Sequence, residues 1–545
     1  MTNPTPAVRT VSKERLRTIR RKQMRYNWDV YLMALPGLLF LLFFSYAPMY
    51  GIIIAFKKYR LNLGILGSKW VGLKNFQRLM HSPEFKRALR NTLVISFSKI
   101  ILGMPVPIIF SLLLNELRGK VFKRAVQTVV YIPHFISWVV VAGIFNDMLS
   151  PSSGIINKAL NLLGINSIYF LGSNKWIRPV IYFTDIWKEF GWGTIIYLAA
   201  ITGTDPSLYE AAAIDGAGRF KQVIHVTLPA IFNTFIVMLL MRLGNIMTGA
   251  GFEQIFMLYS EPVYEKVDIL DTYIYRQSFQ AAMDFSYSTA CGLFSSLVGC
   301  CLLVSSNRTF IENLRFRLTG AQMNAVRDML DDMRSEHVMN IIIVTLVGLL
   351  CLAPFIHVIA KSFSGNMPLV LKKVYFWPKE FQLDNYSFVL NNKQYLVSMK
   401  NSVIITVCGT VLSMVITFLT AFVFTRQNLP FQKLYVGLFI FTMFFGGGII
   451  PTYLLFSSVG LLDTYAVLIL PGGVGVFNII LMRNFMESIS PSLEESARID
   501  GASNMVILFK IILPLSIPAI ATISLFFAVG KWNAYFNAVI YTTRK

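Results

Sequence analysis

Eleven stretches of roughly twenty mostly apolar residues recur along this chain, and stretches of that length need a bilayer as their solvent. They fall near 31–55, 92–114, 126–147, 179–202, 230–247 and 287–306. A second set follows near 339–360, 402–424, 435–458, 465–485 and 515–532. Inside hydrocarbon every backbone N–H and C=O must find its partner within the protein, so each stretch is expected to be a helix. The expected fold class is therefore all-α, a polytopic membrane protein with about eleven transmembrane helices. Composition agrees: 55% of the 545 residues are hydrophobic and only 14% are charged, against about 25% charged in soluble domains.

The net charge of +22 would suit a nucleic-acid binder, but the basic residues lie largely in short segments between apolar runs. That distribution fits the Lys and Arg bias of cytoplasmic loops, and nucleic acid is not an expected partner. The N-terminal stretch 1–30 carries Arg9, Lys13, Arg15, Arg17, Arg20, Arg21, Lys22 and Arg25 ahead of an apolar run too long for the core of a cleavable signal peptide. It is expected in the cytoplasm. Arg118, Lys120, Lys123 and Arg124 fall on the same side, as do Arg308, Arg315, Arg317, Arg327 and Arg334, then Arg426 and Lys433. Lys57, Lys58 and Arg60 dissent by following the first helix directly.

Chemistry is sparse. The five cysteines sit in apolar segments without a C-x-x-C pair and read as small apolar residues. His81, His134, His225, His337 and His357 are dispersed, and a bland role is expected for each. No metal-ligand spacing and no catalytic constellation emerge. No G-x-x-x-x-G-K-[ST] is present: Gly446–Gly448 and Gly472-Gly473-Val474-Gly475 are not followed by the Lys and hydroxyl that a phosphate cradle needs. Those glycines are expected to mark close helix packing or broken helices.

One internal repeat stands out. Pro206-Ser207-Leu208-Tyr209-Glu210-Ala211-Ala212-Ala213-Ile214-Asp215-Gly216-Ala217, followed by Leu228-Pro229, returns as Pro491-Ser492-Leu493-Glu494-Glu495-Ser496-Ala497-Arg498-Ile499-Asp500-Gly501-Ala502, followed by Leu513-Pro514. The displacement is 285 positions throughout. Asp205 and Ser490 are good N-caps with Pro at the next position. A short helix should run to Ile214 or Ile499 and stop at Asp-Gly, because Gly adopts positive φ without steric cost. A second helix then leads to the Leu-Pro that opens the next span. Each copy is expected to be a helix-turn-helix knob at the membrane surface, suited to seat in a cleft on a partner; an ordinary cytoplasmic hairpin is the plain alternative. The repeat divides the chain into transmembrane domains at 31–306 and 339–545. The linker between them, 307–338, is either a short amphipathic helix or a plain loop.

The Glu-Ala-Ala pattern, with Gly six residues on and Leu-Pro thirteen beyond that, resembles the EAA loop of the permease subunits of binding-protein-dependent ABC importers. Glu495-Ser496-Ala497 departs from it by one small residue. The resemblance covers nearly everything from about residue 25 onward except the linker. Tyr31 to Tyr59, Trp70-Val71-Gly72-Leu73-Lys74-Asn75-Phe76, Tyr131-Ile132-Pro133 and Trp187-Lys188-Glu189-Phe190-Gly191-Trp192 look like the first permease of complex-carbohydrate importers. Phe376-Trp377-Pro378 with Asn385-Tyr386, Gly446 to Pro451 and Lys531-Trp532-Asn533 look like the second.

The resemblance implies a tandem parallel repeat of the type I importer permease domain. It also implies a bacterial inner-membrane location with a cytoplasmic N-terminus, and a carbohydrate substrate. The implied partners are an ATPase dimer that holds ATP-Mg and an extracytoplasmic solute-binding protein, with no cofactor on this chain. By the same resemblance Glu210, Ala211, Ala212, Asp215 and Gly216, with Glu495, Ala497, Asp500 and Gly501, are the coupling residues. Each such unit has six helices, and the second is expected to lack its last.

Polar residues within spans usually face the interior, which makes Asp185, Lys188, Glu189, Trp192, Asn233 and Asn245 candidates for the substrate path in the first copy. Asn478, Trp532 and Asn533 are the candidates in the second. Asp185, Lys188 and Glu189 share one helix face, so an internal structural pair is the alternative. Lys99, alone in the second span, has no partner legible in the sequence. Two other functions stay open: an ion-coupled secondary transporter, and a non-transporting remnant of a fused permease pair.

Overall fold

The computed structural model describes residues 22–117, 119–280, 283–305, 337–426 and 429–542. Most of the N-terminal basic stretch, Arg118 and all but the last two residues of the 307–338 segment lie outside the described residues. The described residues are mostly helical. An antiparallel pair of two-residue strands, β1 (Lys57–Lys58) and β2 (Lys69–Trp70), pairs Lys57 with Trp70 and Lys58 with Lys69. That hairpin accounts locally for the basic cluster after the first span, because the Lys57 ammonium donates to the Ile65 carbonyl at 2.7 Å and caps a short turn.

Among the described residues six helices are long and apolar enough to cross a membrane. They are α1 (Trp28–Phe56), α2 (Pro83–Asn115), a helix at Arg219–Gly244, one at Phe285–Leu302, one at Met339–Ser362 and one at Lys393–Thr425. Three bent pairs raise the number to nine: Lys120–Phe135 with Trp138–Met148 (101°), Gln432–Phe444 with Ile449–Ser458 (112°), and Asn504–Leu515 with Ile517–Trp532 (79°). The other two expected spans are helical but do not meet that test. Ile177–Thr202 is one unbroken helix of 26 residues carrying Arg178, Asp185, Lys188 and Glu189. The 465–485 stretch breaks at Pro471–Gly475, between Tyr465–Ile469 and Val476–Glu487. The glycine runs fall at such interruptions: Gly448, at φ 85°, precedes Ile449, and Gly472 has φ 75°.

The later helices are labelled in chain order: α3 (Lys120–Phe135), α4 (Trp138–Met148), α5 (Ile177–Thr202), α6 (Pro206–Ile214), α7 (Arg219–Gly244), α8 (Phe285–Leu302), α9 (Met339–Ser362) and α10 (Lys393–Thr425). There follow α11 (Gln432–Phe444), α12 (Ile449–Ser458), α13 (Tyr465–Ile469), α14 (Val476–Glu487), α15 (Pro491–Ile499), α16 (Asn504–Leu515) and α17 (Ile517–Trp532). α2 and α10 are both 33 residues long, so Pro83 and Asn115 stand in the first copy where Lys393 and Thr425 stand in the second.

Packing groups these helices into two compact units that cross the sequence order: Ile53–Ser398, and Met1–Ile52 with Met399–Lys545. In the second of these, Val30, Met33 and Leu41 of α1 join a core with Phe418, Phe422, Phe439, Met482 and Ile507. Gly37 lets α1 lie directly on α10, since a Cβ there would meet Thr420 Oγ1 at 2.2 Å. Tyr31, Tyr46 and Tyr435 fasten α1 to α11 and the turn before it by donating to the carbonyls of Pro430, Leu438 and Ala34. In the Ile53–Ser398 unit the first helix of the second copy, α9, takes the corresponding place. Val344 and Cys351 are buried with Phe110, Val130, Phe145, Trp187 and Phe190, and Asn340 Nδ2 donates to the Leu113 carbonyl at 3.0 Å. The first helix of each copy is thus built into the core formed by the other. Cys291 and Cys351 are buried, whereas Cys301 and Cys408 lie on the outer faces of their helices.

Candidate functional site

Three places gather the residues that the sequence marks: two surface knobs and one polar cluster inside a bend.

The knobs are near-identical local structures. α6 and α15 are nine-residue helices with Pro at the first position. Each ends on a glycine of positive φ, Gly216 at 76° and Gly501 at 79°. The Ala217 amide donates to the Ala212 carbonyl and the Gly216 amide to that of Ala213. The second copy repeats both bonds, from Ala502 to Ala497 and from Gly501 to Arg498. This paired closure satisfies carbonyls that a helix end leaves free. The N-termini differ. Asp205 accepts the Ser207 amide at 2.9 Å as a cap, and that bond holds its carboxyl below the ordinary aspartate range. Ser490 makes no cap bond; its hydroxyl meets that of Ser492 at 2.8 Å. The expectation of a side-chain cap therefore fails in the second copy, because the serine hydroxyl has a nearer partner.

What the knobs display is also repeated. Ile214 and Ile499 are each 86% exposed, with Leu208 at 51% and Leu493 at 45%. Glu210 and Glu495 are exposed beside them. Isoleucine is thus left bare outside the candidate spans twice, at the same position of the same motif.

The inner cluster forms where α3 turns into α4. The turn leaves His134 and its carbonyl facing α5. Gly191 permits the approach, since a Cβ there would stand 2.0 Å from the Val130 carbonyl oxygen. Lys188 Nζ donates to the His134 carbonyl at 2.6 Å and lies 3.5 Å from Glu189 Oε1. Glu189 Oε2 is 2.8 Å from His134 Nδ1, and the His134 ring stacks on Trp192 at 4.7 Å. Of the expected path residues the fold therefore gathers Lys188, Glu189 and Trp192. It adds His134, for which a bland role was expected; only the neighbouring Tyr131-Ile132-Pro133 could have drawn attention to it.

Asp185 points elsewhere. Its Oδ1 lies 2.7 Å from Nζ of Lys99, which also donates to the Ala250 carbonyl at 2.8 Å and to Gln254 Oε1 at 2.5 Å. Gln254 in turn donates to the Ile181 carbonyl and to Thr184 Oγ1. Lys99 thus has the partners that the sequence left unnamed, and Asp185 is one of them. Asn233 is exposed on α7, and Asn245 closes that helix by donating to the Met241 carbonyl at 2.9 Å. His357, also expected to be bland, holds the Asp147 carboxylate at 2.8 Å and the Tyr375 carbonyl at 2.6 Å.

In the other unit Asn478 lies on α14 just after the break, while Trp532, half exposed, and Asn533 end α17. Lys531 beside them is spent on structure. Its Nζ donates to the carbonyls of Leu468, Ile469 and Pro471 at 3.1, 2.8 and 2.8 Å, closing the broken end of α13. It passes over Gly409, where a Cβ would meet its Cε at 3.0 Å. In the register of α2 and α10, Gly409 stands where the first copy carries Lys99.

The family model for the binding-protein-dependent transport system inner membrane component matches this chain twice, over residues 103–313 and 402–543. A polygalacturonan/rhamnogalacturonan transport system permease protein of Bacillus subtilis, YteP, is 46% identical over 305 residues, covering 56% of this chain and 94% of the relative. A second permease protein named for the same system, YtcP, is 47% identical over 194 residues, covering 36% of this chain and 68% of the relative. The solved structure of a bacterial ABC transporter involved in the import of alginate is similar at 40% identity. It covers 55% of this chain and 98% of that one, with a TM-score of 0.49. With the model matched once in each copy of the repeat, the chain belongs to the family of binding-protein-dependent transport system inner membrane components, a multi-pass inner-membrane protein carrying two permease units in tandem.

Proposed function

We propose that the chain is the transmembrane pathway of an ATP-driven importer for oligosaccharides, and that each knob seats in one subunit of a separate ATPase dimer. The observation that carries this reading is the repeated exposure of Ile214 and Ile499 at the tips of two helices closed by the same Asp-Gly turn. Glu210, Ala211, Ala212, Asp215 and Gly216 then form one coupling element, and Glu495, Ala497, Asp500 and Gly501 the other. ATP and Mg²⁺ are bound by the partner, and this chain contributes no catalytic residue and no cofactor. The knobs and the N-terminus face the cytoplasm, where the loop lysines and arginines concentrate. An extracytoplasmic solute-binding protein delivers the substrate to the opposite face.

That two relatives are named for polygalacturonan/rhamnogalacturonan transport supports an oligosaccharide of that kind as the substrate. The half-exposed Trp192 ring backed by His134, with Glu189 and Lys188 beside it, gives one unit a stacking platform and polar groups for such a ligand. Asn233, Asn245, Asn478, Trp532 and Asn533 are the remaining path candidates.

Co-purification tests the knobs. The chain is expressed with the ATPase of its own genome, and wild type is compared with the Ile214→Asp, Ile499→Asp double variant. Wild type should retain the ATPase in detergent, and the double variant should lose it while keeping its own thermal stability. Retention by the double variant would remove the knobs from the interface.

A further inference from the structure

The two knobs are alike in themselves but are fastened differently, and the difference runs through residues that the EAA motif does not include. In the first copy the knob is held locally: Tyr209 OH meets Thr227 Oγ1 at 3.0 Å. A nearby charged tie is a single contact of 3.5 Å between Arg219, which is exposed, and Glu116, which is half-buried. In the second copy Arg426, just past the end of α10, grips Glu494 of the knob with both terminal nitrogens, one of them 3.0 Å from Oε1. The Arg426 guanidinium also lies 4.0 Å from the centre of the Phe422 ring. From Glu494 the chain of contacts goes on. Arg498 stands 4.0 Å from Glu494 Oε2 and 3.5 Å from Asn504 Oδ1, and Asn504 Nδ2 donates to Asp29 Oδ1 at 3.1 Å. Asp29 and Asn504 are both buried. Asp29 opens α1, so one polar network joins α10, the second knob and the first helix of the whole chain.

Among the described residues the first copy lacks this network. Counted along α2 and α10 from their first residues, Glu116 stands opposite Arg426; at the knobs' displacement of 285, Tyr209 stands opposite Glu494, Ala213 opposite Arg498 and Arg219 opposite Asn504. The sign at the end of α2 is the reverse of that at the end of α10, and tyrosine and alanine stand where the network has a carboxylate and a guanidinium. A bidentate guanidinium–carboxylate pair fixes orientation as well as distance, which a single long contact does not. We propose that Arg426 and Glu494 are positioning residues forming a strut that transmits displacement of the second knob to α10 and, through Arg498, Asn504 and Asp29, to α1. Among the described residues the first knob has no such strut, so the two coupling elements are mechanically unequal. The inference rests on the knobs being the ATPase docking elements.

The test uses full-length Arg426→Glu, Glu494→Arg and the charge-swapped double variant, each with the ATPase and the binding protein in proteoliposomes. The single reversals should still retain the ATPase, but oligosaccharide taken up per ATP hydrolysed should fall about tenfold, and the swap should recover most of it. Uptake per ATP equal to wild type in the single reversals overturns the strut. So does a swap no better than its parents, or loss of the ATPase from the single reversals, which would make these residues part of the docking surface. A second measurement needs no partner: amide exchange of 491–501 in the purified chain should quicken in each single reversal and return to normal in the swap, with 206–214 unmoved throughout. Unchanged exchange in the single reversals also overturns the strut. If wild type never retains an ATPase, the proposed function fails instead, and the exchange measurement still decides whether the strut exists.

Discussion

Nζ of Lys99 stands 2.7 Å from Oδ1 of Asp185, joining α2 to α5 inside the larger unit, with Lys99 only 4% exposed. Removing one member of a buried pair strands the other's charge, which costs about 3–5 kcal/mol, whereas removing both with apolar replacements of similar volume is often neutral. Lys99→Met and Asp185→Leu should each lower the melting temperature in detergent sharply, and the double variant should recover most of the loss. Additive losses in the double variant would show that the pair is not the source of the effect.

Lys531 does comparable work in the other unit with a different geometry. Three carbonyls left by the break after α13 converge on its ammonium. Lys531→Met should leave them without a donor, at about 1–3 kcal/mol for each buried group left unsatisfied. Amide exchange over 465–475 should rise while that over α11 stays as in wild type. Unchanged exchange at the break would mean that packing alone holds it.

Gly191 sets how closely α5 approaches the end of α3. With a Cβ only 2.0 Å from the Val130 carbonyl oxygen, Gly191→Ala must push the helices apart, and overpacking of this kind costs about 1–3 kcal/mol. The displacement should also part His134 from Trp192, read as a change in Trp192 fluorescence against a Trp192→Phe control. A variant as stable as wild type with the same emission would contradict the packing described.

The knobs should respond differently to acid. Asp205 is held below the ordinary carboxylate value of 3.8 by the amide it accepts. A depressed carboxylate contributes stability above its unfolded pKa, and the contribution is lost as pH falls through the folded one. Ser490 has no such bond to lose. Amide exchange at Leu208–Tyr209, corrected for intrinsic rates, should therefore rise between about pH 5 and about pH 3, and that at Leu493–Glu494 should not follow Asp205. Equal changes in both knobs would remove the cap as the cause.

How much of this was legible in the sequence follows from how local each feature is. The knobs are contiguous: caps, Pro, a short helix and Asp-Gly are set by neighbours along the chain, and the repeat doubled the signal. Only the Ser490 bond was misjudged, because a competing hydroxyl two residues on is a matter of rotamer. Lys99 and Asp185 are joined across 86 positions by the packing of α2 on α5, and no periodicity announces that. His134 became visible only once the bend beside it turned its carbonyl toward Lys188. The crossing of first helices between copies was equally hidden, since apolar runs report that a helix is buried and not which helix covers it.

The central claim is that this chain moves sugar on ATP hydrolysed by a partner. It is tested most directly by uptake of a labelled oligogalacturonide into proteoliposomes containing the chain, the ATPase and the binding protein. An ATP-driven importer takes up the sugar with enclosed or external ATP on the ATPase side, but not without the binding protein and not from a proton or sodium gradient alone. Uptake driven by an ion gradient with no ATPase present would contradict it.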